Sequence, residues 1–566
     1  MLAAVAIVAP ALGATQLQAQ QPVASGYRDH ASLGRALDSL QRAHPRLVQV
    51  STIGSSAGGR ALHAIRLGTG GDAADQRPAL LVVANAYGPQ LIGSEIAVAA
   101  AGQLASSYGR DSATTRLLDG NTIYFVPRAN PDAAEAFFRS PRVERTGNDT
   151  KTDDDRDGAQ DEDGPEDLNG DGVITMMRVA DPDGAWMADA LDPLIMRRAN
   201  AAKGERGAWQ LHTEGRDSDG DSRINEDGPG GTDVNRNFTH DYQFFVEGTG
   251  LYPMSSTEAR ALADYMIDHP NIAAAYVLGP QDNLIKPWEF RRTTGIAGNP
   301  PGTSAGGPLQ SILQPDEAWF AEMSRRYRKA TGQTKAPPSA PLEGDVLSWL
   351  YFDMGRLAFG SPGWVMPDAP ADSASPRPEQ PDPAADERAA LRWLRANVPG
   401  SVVEWTRVEH PDFPGRVVEV GGFRPYARQN PPASMLGDIL AKQTTFIGEL
   451  AGSLARVALR EIRVETVGDR TFRITAQIVN EGYLPTQAAI GARVRWPRAV
   501  RVDLRTSDGQ HLAAGRAVQL MSPIAGSGRS TELSWLVVGA PGSTVTLEAA
   551  SPTSGRATET ITLRAR

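Results

Sequence analysis

Pro78-Ala79-Leu80-Leu81-Val82-Val83-Ala84 is an unbroken apolar run. A strand with one wet face alternates apolar and polar residues, so a continuous run of this length reads as a strand covered on both faces. Residues 92–108 then read as a helix, and Thr122-Ile123-Tyr124-Phe125-Val126 as a second buried strand. Upstream, Leu47-Val48-Gln49-Val50-Ser51 and Ala61-Leu62-His63-Ala64-Ile65-Arg66-Leu67 alternate like half-buried strands. Downstream, Ser255-Ser256-Thr257-Glu258 looks like a helix start, with Glu258 three residues after Ser255, and 271–278 is another apolar strand. Buried strands alternating with helices predict an α/β layered domain built on a parallel or mixed sheet.

A chain of 566 residues exceeds one ordinary core, and about two or three domains are expected. After about Gly452 the texture changes to short alternating runs, such as Phe472-Arg473-Ile474-Thr475-Ala476-Gln477-Ile478, separated by turn residues. That pattern predicts a small all-β sandwich over 452–566, following an α/β domain over 26–450. Pro- and Gly-rich stretches at 298–308, 336–343 and 367–385 read as surface loops. The formal net charge of −10 argues against a nucleic-acid binder. The absence of cysteine excludes disulfides and thiolate metal sites. Residues 1–14 form an apolar run followed by small and Gln-rich sequence, so 1–20 reads as a secretory signal that lacks the usual basic leader. A secreted or periplasmic bacterial protein is expected, and no other stretch is long and apolar enough for a transmembrane helix.

Two acidic stretches align without gaps: Asp153-Asp154-Asp155-Arg156-Asp157-Gly158-Ala159-Gln160-Asp161 and Asp217-Ser218-Asp219-Gly220-Asp221-Ser222-Arg223-Ile224-Asn225. Between them lies Asp167-Leu168-Asn169-Gly170-Asp171-Gly172. Oxygen-bearing side chains recur at alternate positions in a tight loop, as a hard cation requires. Structural Ca²⁺ is therefore expected on Asp153, Asp155, Asp157, Asp161, Asp167, Asn169, Asp171, Asp217, Asp219, Asp221 and Asn225. None of the three loops carries the closing bidentate glutamate of an EF-hand: the twelfth positions are Gly164, Arg178 and Gly228.

Directly after the third loop stands Gly231-Thr232-Asp233-Val234-Asn235-Arg236-Asn237-Phe238. This octapeptide resembles the D-x-N-R-N-[FW] motif of the carboxypeptidase A-like zinc metallopeptidases. Other blocks resemble the same family in the same order: 51–65, 80–95, Val126-Pro127-Arg128-Ala129-Asn130-Pro131-Asp132, and 344–355, which resembles the helix before the strand of the catalytic glutamate. The resemblance implies a mixed eight-stranded sheet flanked by helices, with the acidic stretches as inserts over about 148–230. It also implies that Asn235 and Arg236 grip the free carboxylate of a peptide, a task suited to the planar, always-charged guanidinium. Arg178, by its place in the family-like 174–179 segment, is a second candidate contact.

The family's zinc site, an H-x-x-E pair and a later histidine, is replaced here. Tyr87 stands at the first position, Gln90 at the second, Leu278 at the third, and Pro362 where the resemblance puts the general-base glutamate. None of the eight histidines is followed three residues later by glutamate. Zn²⁺ is thus expected for the family and predicted absent from this chain, leaving no water activated for hydrolysis. The expected function is a scaffold that holds a peptide or peptidoglycan-peptide C-terminus without cutting it. The alternatives are an active metallocarboxypeptidase with a rebuilt site, for which His240-Asp241 is the nearest candidate, and an interaction role for the sandwich.

Overall fold

The computed structural model describes residues 26–153, 158–220, 222–225, 228, 230–291, 308–338, 340–368, 382 and 384–564. The signal reading over 1–20 lies outside the described residues, as do Asp155, Asp157 and Asp221.

The run that decides the fold is the strand Ala79–Ala84, and its side chains are fully buried. It lies between two parallel neighbours, Thr122–Val126 and Ile272–Leu278, with Leu81 level with Tyr124 on one side and Ala275 on the other. Leu357–Ser361 continues the sheet in parallel beyond Ile272–Leu278. The hairpin Val48–Ser55 and Ala61–Leu67 closes the other edge antiparallel, so the sheet is mixed. Helices Ile92–Ser107, Glu317–Thr331 and Ala433–Gly452 pack together in one large core with the sheet.

This sheet has six strands among the described residues, where the family resemblance implied eight. The two strands that follow Leu357–Ser361 in the chain, Val402–Val408 and Val418–Phe423, pair elsewhere. Val418–Phe423 runs antiparallel to Met176–Ala180, a strand inside the acidic insert region, and the two build a second six-stranded sheet with Val402–Val408, Trp209–Thr213, Trp186–Ala188 and Met196–Arg198. Met177, Val179, Val418 and Val420 give that sheet its own small core. Two smaller expectations also shift by local chemistry. The helix Thr257–Asp268 is capped by Ser256, whose Oγ accepts from the Ala259 amide at 3.0 Å, because Glu258 is buried and accepts instead from the Ala57 amide. Residues 344–355 form one short α-turn, Val346–Ser348, followed by a wider π-turn, Trp349–Asp353.

The C-terminal region is a sandwich of two four-stranded antiparallel sheets around Ile474, Leu547 and Trp535. Its strand alternation matches the sequence reading, but it also carries a short helix, Ala489–Val494, which the alternation did not predict. That helix docks the sandwich. Asp316 of the α/β domain accepts from the Ala489 amide at 2.7 Å, the Ile490 amide at 3.0 Å and the Tyr351 hydroxyl at 2.9 Å. Arg326 adds a cation–π contact over Tyr483. Asp316→Ala leaves three donors unpaired, two of them buried, and we expect it to cost about 3 kcal/mol. A lower thermal midpoint with faster proteolysis near residue 489 is the readout; an unchanged midpoint would show that the docking contributes nothing. No helix among the described residues is long and apolar enough to cross a membrane.

Candidate functional site

The strand Ala79–Ala84 ends in Asn85, whose backbone turns left-handed (φ 56°). Asparagine tolerates this conformation better than most residues. Its buried Nδ2 then donates to the carbonyls of Tyr87, Gly88 and Gln90 at 3.2, 2.8 and 3.3 Å. Asn430 clamps the same turn from outside, donating to the Pro89 carbonyl at 2.8 Å and accepting from the Ile92 amide at 3.1 Å. Gly88 has no room for a side chain, since a Cβ would lie 2.2 Å from that of Ala133. The turn is therefore rigid, and it delivers Tyr87 and Gln90 to the wall of a cleft of about 700 Å³.

Pro362 follows the strand Leu357–Ser361 and lines the same cleft, its carbonyl accepting from Gln90 Nε2 at 3.1 Å. A buried network holds this corner from behind: Gln443 Nε2 donates to the Gly363 carbonyl at 2.7 Å and to Tyr327 Oη at 3.0 Å, and Tyr327 meets Ser361 at 2.5 Å. Asn235 and Arg236 arrive on the 3₁₀ turn Val234–Arg236, capped by Asp233. Asn235 Nδ2 donates to Gln281 Oε1 at 3.0 Å, and Gln281 is tied in turn to the Pro341 carbonyl at 2.8 Å. Arg236 Nη1 donates to the Glu247 carbonyl at 3.2 Å. Arg236 makes no salt bridge among the described residues, although its charge favours the ionised form of the nearby Asp233 carboxyl. The opposite wall is apolar, with Pro337, Pro338, Trp364 and Met366, and Lys335 bridges it to Asp368 at 2.5 Å.

Of the four positions that the resemblance aligned with the zinc site and the general base, Tyr87, Gln90 and Pro362 converge on one cleft with Asn235 and Arg236. Leu278 does not line it. It is 1% exposed, packed against Gly93 and Gly363 beneath the cleft. Arg178 is a correction. It lies in the second sheet, ion-paired to Glu419 at 2.6 Å and sandwiched between Trp209 and Trp405, with no place in the cleft. Two tryptophans from separate strands flank it, which local sequence could not reveal. His240 does not pair with Asp241: its Nδ1 faces Asp353 at 3.1 Å, its Nε2 faces the Leu309 carbonyl, and its ring stacks on Phe352.

The acidic loops wind tightly. Asp167 accepts from the amides of Gly170 and Gly172, both at 2.8 Å, and Asp171 from that of Val173 at 3.0 Å. Asp217 accepts in the same way from the Gly220 amide at 2.6 Å and the Ser222 amide at 2.9 Å. Asp163, unremarked in the sequence, is buried and joins two stretches, accepting from the Ser218 and Asn225 amides at 3.0 and 2.7 Å. Asn225 Nδ2 donates to the Thr213 carbonyl. Asp161 accepts from the Thr152 amide and pairs with Lys151.

The sequence reading also passed over Asp233, Gln281 and Asp345. Asp233 adjoins the motif and Gln281 follows Leu278 by three residues, so proximity was the available signal. Burial raises the Asp233 carboxyl to about 7 against the Asn235 amide and Arg236, which favour its ionised form. Burial likewise raises Asp345 to about 7, opposed by hydrogen bonds from Ser348 and the Leu347 amide. A carboxyl that binds its proton more tightly folded than unfolded loses stability as pH climbs from 3.8 to about 7. Asp345→Asn keeps an acceptor for the Leu347 and Ser348 amides, so it is expected to remove that part of the fall. Urea midpoints across this window check it: an identical slope in both proteins would refute it.

A phenol, a carboxamide and an alkyl chain do not fit a Zn²⁺ site, which takes imidazole, thiolate or carboxylate. Among the described residues, no group of three or more His, Cys, Asp and Glu is arranged to hold a metal.

The sheet, the rigid turn and the Asn235-Arg236 cleft define a carboxypeptidase-type domain. A zinc carboxypeptidase family model matches residues 33–345, and the chain belongs to that family. A second model, a domain of unknown function (DUF8731), matches 456–562, the sandwich. Carboxypeptidase A2 of Mus musculus is 30% identical over 118 residues, covering 20% of this chain and 27% of that protein. A zinc carboxypeptidase of Saccharothrix mutabilis subsp. capreolus is 27% identical over 138 residues, covering 23% of this chain and 32% of that one. The matches thus span about a third or less of these relatives. Among solved structures, thrombin activatable fibrinolysis inhibitor aligns over 75% of this chain and 76% of its own, with TM-score 0.40 and 13% identity. A metallo-carboxypeptidase from Burkholderia cenocepacia aligns over 73% and 67%, with TM-score 0.34 and 10% identity.

Proposed function

We propose that this chain is an exported, non-catalytic zinc-carboxypeptidase relative that binds the free C-terminus of a peptide, with peptidoglycan stem peptides as the natural class. The observation that carries the reading is Arg236, which stands in the cleft with no salt bridge among the described residues, beside Tyr87, Gln90 and Pro362. The guanidinium supplies charge and a donor fork for a carboxylate. Phenol, carboxamide and proline supply neither a metal site nor a base to activate water. Calcium in the acidic loops is part of the proposal, supported by the convergence of Asp163, Asp217 and Asn225 in one tight turn.

Elemental analysis of the purified chain, with a carboxypeptidase assay on the same sample after zinc loading, tests the catalytic half. Calcium without stoichiometric zinc, and no release of C-terminal residues, is the expected result. One tightly held zinc with turnover would make the chain an enzyme with a rebuilt site. Comparing peptides as free acids and as C-terminal amides tests the binding half, and equal affinity for both would overturn it.

A further inference from the structure

We propose that the outer face of the C-terminal sandwich is a docking surface for an anionic phospholipid bilayer. It shares no residue with the lining of the cleft and does not depend on what the cleft binds.

Residues 489–520 carry six arginines against two aspartates, in a chain whose formal net charge is −10. The fold sorts several of them to one side. The strand Arg501–Arg505 buries Val502 and Leu504 in the sandwich core. Successive side chains of a strand point to opposite faces, so Arg501, Asp503 and Arg505 share the outer face. Asp503 and Glu548 answer Arg501 and Arg505 there, at 2.7 and 3.3 Å. The neighbouring edge strand, Val518–Leu520, pairs Leu520 with Arg501 and Val518 with Asp503, which puts both apolar side chains on the same face. Leu520 is 72% exposed and Val518 49%.

The turn that leads into this face adds the remaining cations. Arg493, Arg495 and Arg498 are exposed, as is Trp496 at 49%. None of the three arginines forms a salt bridge among the described residues. The turn is nonetheless firmly built. Pro497 is buried, so close to Gly355 and Gly491 that a Cβ on either would lie 3.2 and 3.1 Å from its ring, and its carbonyl accepts from Gln487 Nε2 at 2.9 Å. Arg495 is held left-handed (φ 63°), a conformation that costs energy in any residue with a side chain. The Met521 amide donates to the Val500 carbonyl at 2.8 Å, so the chain after Leu520 runs beside the residues that follow Arg498.

Unpaired cations beside half-exposed apolar side chains call for a partner that is anionic at its surface and apolar just beneath. A soluble polyanion satisfies the arginines but gives Trp496, Val518 and Leu520 nothing to enter. An anionic bilayer satisfies both, because its headgroups attract arginine while tryptophan and aliphatic groups settle at the boundary with the acyl chains.

The test is cosedimentation of the full chain with vesicles of phosphatidylcholine alone, or of phosphatidylcholine and phosphatidylglycerol in equal parts, at low and high salt. We expect binding to the anionic vesicles only, weakened by salt. One arginine near such a surface is worth a factor of about 5, so the combined variant Arg493→Gln, Arg495→Gln and Arg498→Gln is expected to lower partitioning about 100-fold. Trp496→Ala with Leu520→Ser is expected to lower it about 10-fold at either salt. The two vesicle types are compared on the unaltered chain, so a misfolded variant cannot mask the answer. Equal pelleting with both vesicle types, or with neither, would overturn the bilayer reading. Binding that falls with the arginines but is indifferent to Trp496→Ala and Leu520→Ser would overturn it too, and would give the face to a soluble polyanion or an acidic protein.

Discussion

Arg236→Ala is expected to weaken binding of free-acid peptides by about 10–100-fold, the effect of losing one charge-assisted contact to a carboxylate. The neighbouring Asn235 cannot substitute, because it is neutral and one of its two Nδ2 protons already goes to Gln281 Oε1 at 3.0 Å. Lys335 and Arg428, the other cations on the cleft wall, are engaged with Asp368 at 2.5 Å and Glu387 at 3.6 Å. The fold should survive the substitution. Among the described residues the Arg236 side chain makes one hydrogen bond, to the Glu247 carbonyl, and the turn that carries it is held by Asp233 and Asn235. Arg236→Lys keeps the charge but loses the planar fork, and an intermediate affinity is expected. Titration of a free-acid peptide against both variants reads this out. Undiminished affinity in Arg236→Ala would remove the carboxylate-binding role.

The second large effect concerns Leu278. Restoring histidine there, alone or with Tyr87→His and Gln90→Glu, is expected to destabilise the chain by about 3 kcal/mol, the scale for burying an unpaired polar group in a packed core. Leu278 is 1% exposed at the end of the strand Ile272–Leu278. Its side chain closes against Gly363, where an added Cβ would already lie 3.1 Å from Leu278 Cδ2 and 2.6 Å from Ile96 Cδ1. An imidazole in that space faces hydrocarbon. The triple variant is therefore expected to melt earlier and to bind no stoichiometric zinc, as thermal unfolding and metal analysis would show. A stable, zinc-loaded triple variant would mean that the site is only three substitutions from its relatives and that the packing argument is wrong.

What the sequence determined by itself is what depends on neighbours along the chain. The unbroken run 78–84 was enough for a strand covered on both faces, the alternation after residue 452 for a sandwich, and Asp233-Val234-Asn235-Arg236-Asn237-Phe238 for the family. The proposed replacement of the zinc ligands rests on the same kind of reading, because residue identity at a motif position needs no coordinates. Tertiary structure decided whatever required residues far apart in sequence to meet. Arg178 looked like a ligand contact until Val418–Phe423 paired with Met176–Ala180 and brought Trp405 and Glu419 onto it, over 200 residues away. The same long-range pairing built a second sheet. Tyr87, Gln90 and Pro362 share a cleft, while Leu278 lies beneath it, because the side chains of adjacent strands leave the sheet at depths that no spacing rule sets. The outer face of the sandwich belongs to the same class: Leu520 meets Arg501 only because their strands pair, and which side chains are left in solvent is a property of the folded chain.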